Sequence, residues 1–422
     1  MKLRTRRIMY IFTVLAFLVV TPVILAFGFG IRYSPEQKGL VKTGGMYINA
    51  YPKTINLTID GVTKQQKTPT RLRYLWPKTY SLQISKEGYK AVSTSVDIRQ
   101  NDVLLFDPIE LLPQNPSSKI NFPGNTYFAS PFTPQVLVFT LEKDGKISGT
   151  QYLNANQNSI TGTLNEIPLR ATWNAVTGDA LIFTSEHKYI YIMKSNSLVL
   201  LPNNLSNPVL SEKESGIVYG NRDEQTVYFD GNSNLAHTSD VQGKFVYNHD
   251  GNFAVVKSID GQEYLSVLSN HTQTQIQSLN DTQDIVTLNE EYALIKDAHE
   301  AYLFNIATRQ LSYLDDTVTS YALSKKYLYY TNGFEVWQIN LVSSEKKLIN
   351  RFSDEINFIA VSPRESGLFI TSEHKTVFWY LGFQKPSELD VSDMGLVQNI
   401  DQSSFQGVIF NDNSVTIKNF SI

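Results

Sequence analysis

Two histidines stand in the same five-residue setting: Thr184-Ser185-Glu186-His187-Lys188 recurs as Thr371-Ser372-Glu373-His374-Lys375. An imidazole beside a carboxylate is the raw material of a metal site or an acid–base pair. Each copy, however, is a polar stretch between two apolar alternating stretches, so the plain reading is a turn shared by two repeats. Ligands of one ion must converge, and turns on separate repeats point apart. His237, His249, His271 and His299 have no metal-ligand spacing either. No metal is therefore assigned.

The acids give the same answer. Asp230-Gly231-Asn232-Ser233-Asn234 places oxygens at alternate positions like the first half of a calcium loop. Leu235 then stands where the loop needs glycine and Val241 where it needs a bidentate glutamate, which leaves a hairpin turn. Glu290-Glu291 and Asp315-Asp316 are adjacent, and neighbours on a strand face opposite sides, so neither pair works as a carboxylate dyad. There is no Gly-x-Ser-x-Gly elbow, no phosphate loop and no cysteine, which removes the thiolate metal site, the thiol nucleophile and the cysteine-acylated lipoprotein. The expectation is a chain without catalytic residues or cofactor.

What positions these residues is a repeat. The twin pentapeptides lie five steps apart in a series of similar hairpins, giving a period of about 37 residues. Hairpins begin near Val136, Ala180, Gly216, Asn252, Tyr292, Tyr327, Gly367 and Gly407, several announced by turn signals such as Thr177-Gly178-Asp179, Asp250-Gly251-Asn252 and Glu365-Ser366-Gly367. Units of this size close radially into a β-propeller. Seven blades are expected over 135–422, with eight as the alternative, the first hairpin being set aside as part of a composite blade. So little chain follows Ile417 that ring closure is expected to borrow a strand from Lys119 to Phe128. The proline-rich stretch 114–134 reads as a linker. The 23 Tyr, 23 Phe and 4 Trp are mainly core, and Trp173, Trp337 and Trp379 are the candidate ligand-facing aromatics.

The N-terminus sets the location. An uncharged run, 8–31, exceeds the roughly 20 residues a helix needs to cross a bilayer. Lys2, Arg4, Arg6 and Arg7 precede it and hold a cytoplasmic tail, 1–7, on the inner side. A cleaved signal peptide is the rival reading, with Ala26-Phe27-Gly28 a poor cleavage site. With the five cations before Tyr33 removed, 32 basic and 40 acidic residues remain, a net of -8 that argues against a nucleic-acid partner. A linker, 32–43, leads to a compact β segment, 44–113, with strands at Met46 to Ala50, Ile55 to Ile59, Tyr80 to Ile84 and Val92 to Ile98. Asp60-Gly61 marks a tight hairpin, and Gly88 a position of positive φ.

Within that segment Pro52, Ile55 to Gly61, Thr68-Pro69, Leu72, Tyr80 and Lys86-Glu87-Gly88-Tyr89 resemble the PEGA domain family, although Pro52-Lys53-Thr54-Ile55 replaces the name-giving tetrapeptide. The resemblance implies a small extracytoplasmic β-sandwich that mediates protein or wall contacts and carries no catalytic residues. Val361-Ser362-Pro363 leading into Gly367 to Ile370 is similar to the Ser-Pro turn of TolB-like propeller repeats, in one blade only.

The fold expected is thus mainly β: a transmembrane helix, a PEGA-like sandwich and a propeller. The function expected is a bacterial, envelope-anchored, non-catalytic binding or scaffold protein with an envelope protein or cell-wall glycan as partner. The alternatives are a structural component of the cell wall or surface layer, and a propeller glycan hydrolase or lyase.

Overall fold

The computed structural model describes residues 3–34, 39–153, 156–211, 213–222, 225–238, 242–249, 252–260, 262–269, 272–289, 291–297, 299–305, 307–383, 387–401, 403–411 and 414–421. His271, Asp250-Gly251, Glu290 and Val241 lie outside them. The chain forms two compact units: residues 1–115 with 379–389 and 422, and residues 116–378 with 390–421.

The first unit begins with one helix, Leu3–Gly28, whose stretch Met9–Gly28 is long and apolar enough to cross a membrane. From Met9 to Phe27 its side chains are exposed apart from the half-buried Thr21 and Ala26, with Tyr10 at 73% and Phe12 at 74%. Pro22 sits inside without ending it. The helix stops before Ile31, and the stretch read as a linker is an antiparallel pair, Ile31–Ser34 with Gly39–Lys42. Thr43 then returns to the helix end, donating both its N–H (2.9 Å) and its hydroxyl (2.8 Å) to the Gly30 carbonyl.

The sandwich has two sheets. Val62–Lys67, Thr54–Ile59, Thr79–Ser85 and Val92–Asp97 form one in that order, and Thr70–Leu75, Gly44–Tyr51 and Val103–Glu110 form the other, its last pair parallel. Alternation places Ile55, Leu57, Leu82, Ile84 and Val96 inside. Three strands escape the sequence reading. Val62–Lys67 is an edge strand exposed on both faces, so it carries no alternation to read. Asp60 and Gly61 both adopt positive φ at the expected hairpin, and so does Gly88.

The second unit is a series of four-stranded antiparallel meanders. Each expected hairpin is the middle pair of one of them, so that Gln135–Leu141 pairs with Ile147–Leu153, Ala180–Phe183 with Lys188–Ile192, and Tyr327–Thr331 with Glu335–Asn340. The first meander has four strands of its own and is joined to the second only by a parallel bridge between Thr161 and Ser197, making one eight-stranded sheet. Among the described residues of the second unit there are accordingly eight four-stranded sets, and the first is not part of a composite. The stretch 114–134 is not free linker: it holds Ser118–Pro123 and Thr126–Ala129. The first of these pairs antiparallel with Ser414–Ser421 as the fourth strand of the last sheet, a strand taken from within the stretch expected to supply one, Lys119 to Phe128.

Cores lie between consecutive sheets. Ala180, Ile182 and Tyr191 of the second meander pack with Leu137 and Phe139 of the first, while Val408, Val415 and Ile417 of the last pack with Val136 and Val138 of the first. Phe369 and Phe405 bring the seventh and eighth together with ring centroids 5.3 Å apart. The 37-residue period reappears as hydrogen bonds from one meander to the next. Asn174 donates to the Ser211 carbonyl at 2.6 Å, and Asp179 accepts from the Gly216 N–H at 2.8 Å.

Candidate functional site

The first strands of six meanders line one cavity of about 500 Å³ in the second unit: Thr126–Ala129, Arg170–Trp173, Thr282–Thr287, Ser320–Leu323, Ile356–Val361 and Leu396–Asp401. Its walls are aromatic, with Tyr127, Phe128, Trp173, Tyr321 and Phe358. Three charges enter it, Arg170, Asp284 and Lys296. Asp284 and Lys296 are directly opposite one another on adjacent antiparallel strands.

Each charge is held differently. The Arg170 guanidinium lies 4.0 Å from the centre of the Phe183 ring, an arrangement that fixes the plane and leaves its N–H edges for a ligand. Lys296 donates to the Val318 carbonyl at 3.1 Å and stands 5.6 Å from the Tyr321 ring centre. Burial lowers the Lys296 pKa from its ordinary value, with Asp284 opposing that shift and Arg170 adding to it. Burial likewise raises Asp284, against the two cations that pull it down. Both side chains are only half-buried by exposure, because they face an open cavity while protein surrounds them on the other sides. Burial also raises the Tyr321 phenol, which stays neutral.

A loop closes the cavity on one side. Pro131 and Phe358 belong both to it and to a second cavity of about 200 Å³. Phe132 packs at 5.8 Å from the Tyr321 ring, and Gln398 secures the loop by donating to the Ser130 carbonyl at 2.5 Å and the Gln135 carbonyl at 3.2 Å. Gln398 itself accepts from Gln406 at 2.7 Å. The result is an open, aromatic-walled recess of a size suited to a small ligand or a short peptide end. It carries two cations against one carboxylate. Among the described lining residues Asp284 is the single acid, so a two-carboxylate glycosidase arrangement is not assembled.

Of the aromatics singled out from sequence, Trp173 lines this cavity and is otherwise buried, at 5% exposure. Trp337 packs against the core between the fifth and sixth meanders, donates to Glu335 at 2.9 Å and carries Lys346 over its ring at 4.3 Å. Trp379 is buried at 6% exposure in the first unit. Arg170, Asp284 and Lys296 were not found from sequence. They are scattered along the chain, and the one available signal was a charge within an otherwise apolar strand.

The twin histidines occupy the same hairpin of their meanders, but one residue out of step. In the first copy Thr184 N–H bonds the His187 carbonyl, leaving Ser185-Glu186 at the tip; in the second Ser372 N–H bonds the Lys375 carbonyl, leaving Glu373-His374 there. The carboxylate of Glu166, from the loop before Arg170, captures the first tip. It accepts from Ser185 Oγ at 2.6 Å and Glu186 N–H at 2.9 Å, and lies 2.5 Å from His187 Nδ1. Glu166, Glu186 and His187 do bring possible ligand atoms within 4.8 Å of one another. The hydrogen bonds already engage the Glu166 oxygens, so the geometry is that of a turn lock.

The remaining candidates are turns or surface residues. Asp230 accepts from Asn232 N–H at 2.9 Å and Ser233 Oγ at 2.7 Å, and Asn234 has positive φ, as a hairpin turn requires. His237 is exposed and stacks on Tyr228, ring centres 4.9 Å apart. Ser362 holds the Ser-Pro turn by accepting from the N–H of Ser366 and Gly367 at 3.0 and 3.2 Å.

Residues 43–110 match the model of the PEGA domain family. No curated protein matches the chain. Among solved structures it is similar to Sqt1 of Saccharomyces cerevisiae, with 11% identity over 73% of this chain and 99% of that one and a TM-score of 0.44. It is also similar to Hsv2p of Kluyveromyces lactis, at 12%, 64%, 97% and 0.40, and to an uncharacterized protein of Listeria monocytogenes, at 11%, 59%, 90% and 0.38. Likeness at this level transfers no function.

Proposed function

We propose that this chain is a single-pass, membrane-anchored binding protein without catalytic activity, whose second unit is an eight-bladed propeller that receives a carboxylate-bearing segment of an envelope partner at the mouth of its channel. The N-terminus is cytoplasmic and the bulk is outside a bacterial membrane, by the basic residues before the helix. The ring reading is supported by the eight meanders, by the cores between consecutive sheets and by the strand from before the first meander that completes the last. The PEGA-like sandwich is the spacer.

The observation that carries the ligand reading is the recess itself, where Arg170 and Lys296 outnumber Asp284 among aromatic walls. A guanidinium plane with free edges recognises a carboxylate, and the rings take an apolar neighbour. The test is a library of short peptides with free C-terminal carboxylates, screened against the exported part and its Arg170→Gln variant. Peptides that bind the parent, and lose most affinity on C-terminal amidation or in Arg170→Gln, are the expected result. Absence of such peptides, or indifference to both changes, rejects the site. Turnover of wall glycans by the purified exported part rejects the non-catalytic reading.

A further inference from the structure

We propose that the membrane-exit end of the helix holds one anionic phospholipid, its phosphate on Arg32 and its acyl chain in the groove beside the last two turns. This rests on the reading of Met9–Gly28 as a membrane span.

The groove has a volume of about 490 Å³ and belongs wholly to the first unit. On one side it is lined by Pro22, Val23, Ala26 and Phe27, and on the other by Leu40 and Trp76. Pro22 is six residues before the helix end at Gly28, so the groove runs about 9 Å along the helix axis, from the headgroup level into the hydrocarbon. Such depth is where an acyl chain lies and a soluble anion does not. Trp76 and the exposed Tyr33 are the residue types that settle at that boundary.

Arg32 closes the groove at its polar end. Its guanidinium is 4.9 Å from the centre of the Phe27 ring and 4.4 Å from that of Tyr74, so helix and sandwich fix its plane together. Its Nε is closed off from solvent and has no hydrogen-bond acceptor. With Nε enclosed, the guanidinium presents its two Nη groups, and that edge is the one a phosphate can take in bidentate fashion. Thr43, through its two bonds to Gly30, keeps the sandwich seated at the helix end so that the stack persists. Arg71 and Arg73 line a separate cavity on the same unit and lack the double stack, which makes them internal controls for general surface charge.

The experiment uses the full chain in mild detergent, titrated with phosphatidylglycerol or phosphatidylcholine and read by native mass spectrometry. Phosphatidylglycerol is expected to be retained more tightly. Arg32→Gln should weaken it about fivefold, the effect of one interfacial cation. Arg32→Lys should keep part of the preference, and the Arg71→Gln/Arg73→Gln double variant should matter less than Arg32→Gln, although it removes more charge. Equal retention of the two lipids, or a double variant that costs as much as Arg32→Gln, overturns the site. Alkaline carbonate extraction of cell membranes separates the premise from the proposal: release of the full chain by carbonate rejects the span, whereas a chain that stays in the membrane without lipid preference rejects only the lipid site.

Discussion

Glu166 Oε1 lies 2.5 Å from His187 Nδ1, joining the loop before the second meander to the tip of its central hairpin. Hydrogen bonds from Ser185 and the residues beside it hold the Glu166 carboxyl down at about 2, below an ordinary value of 4.5. As pH falls the unfolded chain takes up this proton first, so the lock is fully present above about 4.5 and is lost as pH approaches about 2. The melting temperature of the parent should therefore exceed that of Glu166→Gln at neutral pH, and the gap should narrow through that acid window. A gap that is constant with pH would show that the carboxylate charge has no part in it.

The same pentapeptide explains what sequence can and cannot convey. The eight hairpins were legible because buried strands alternate and their turns carry Gly, Asp and Asn. The one-residue offset between the two copies was not, since Glu166 sits outside the repeated five residues. Outer strands such as Leu235–Thr238, exposed along their length, leave no pattern either. The recess was invisible for a related reason: Arg170 and Asp284 come from different meanders, and no spacing in the chain announces that their first strands face one cavity.

Asp179 ties neighbouring meanders at the repeat distance. It is 1% exposed and accepts from Met193 N–H and Gly216 N–H, each at 2.8 Å, and from Ser215 Oγ at 3.1 Å. Burial raises its pKa, while these bonds work in the opposite direction. Asp179→Ala strands both N–H groups and should cost about 2–4 kcal/mol, at roughly 1–3 kcal/mol for each lost partner with some relaxation. Asp179→Asn keeps one acceptor oxygen and should cost less. Urea unfolding of both variants, followed by tryptophan fluorescence, checks the order; equal losses would mean that packing, not hydrogen bonding, is at stake.

Gly407 marks a close approach of backbone to backbone. A Cβ there would stand 2.1 Å from the Met394 carbonyl oxygen, a distance no rotamer change can relieve. Gly407→Ala should destabilise the last meander by about 1–3 kcal/mol, the usual cost of overpacking. Gly382→Ala is the comparison, because a Cβ there meets nothing within 4 Å. If both variants melt alike, the close approach at Gly407 relaxes freely.

Ile417 tests the closure. It pairs with Ile120 on one side and Val408 on the other, is fully buried, and packs in the cluster that holds Val136 and Val138 of the first meander. Truncating it to alanine removes apolar contact at the one junction made by strands from both ends of the second unit, at an expected cost of about 2–5 kcal/mol. In the proposed ring, whose remaining junctions are covalently continuous, that loss should open the seam before the rest. Hydrogen exchange in Ile417→Ala is accordingly expected to quicken most in Ser118–Pro123 and Ser414–Ser421, with Thr282–Thr287 on the far side of the proposed ring little changed. Uniform acceleration across all three segments would mean that the unit unfolds as one body and that the seam is no weaker than any other junction.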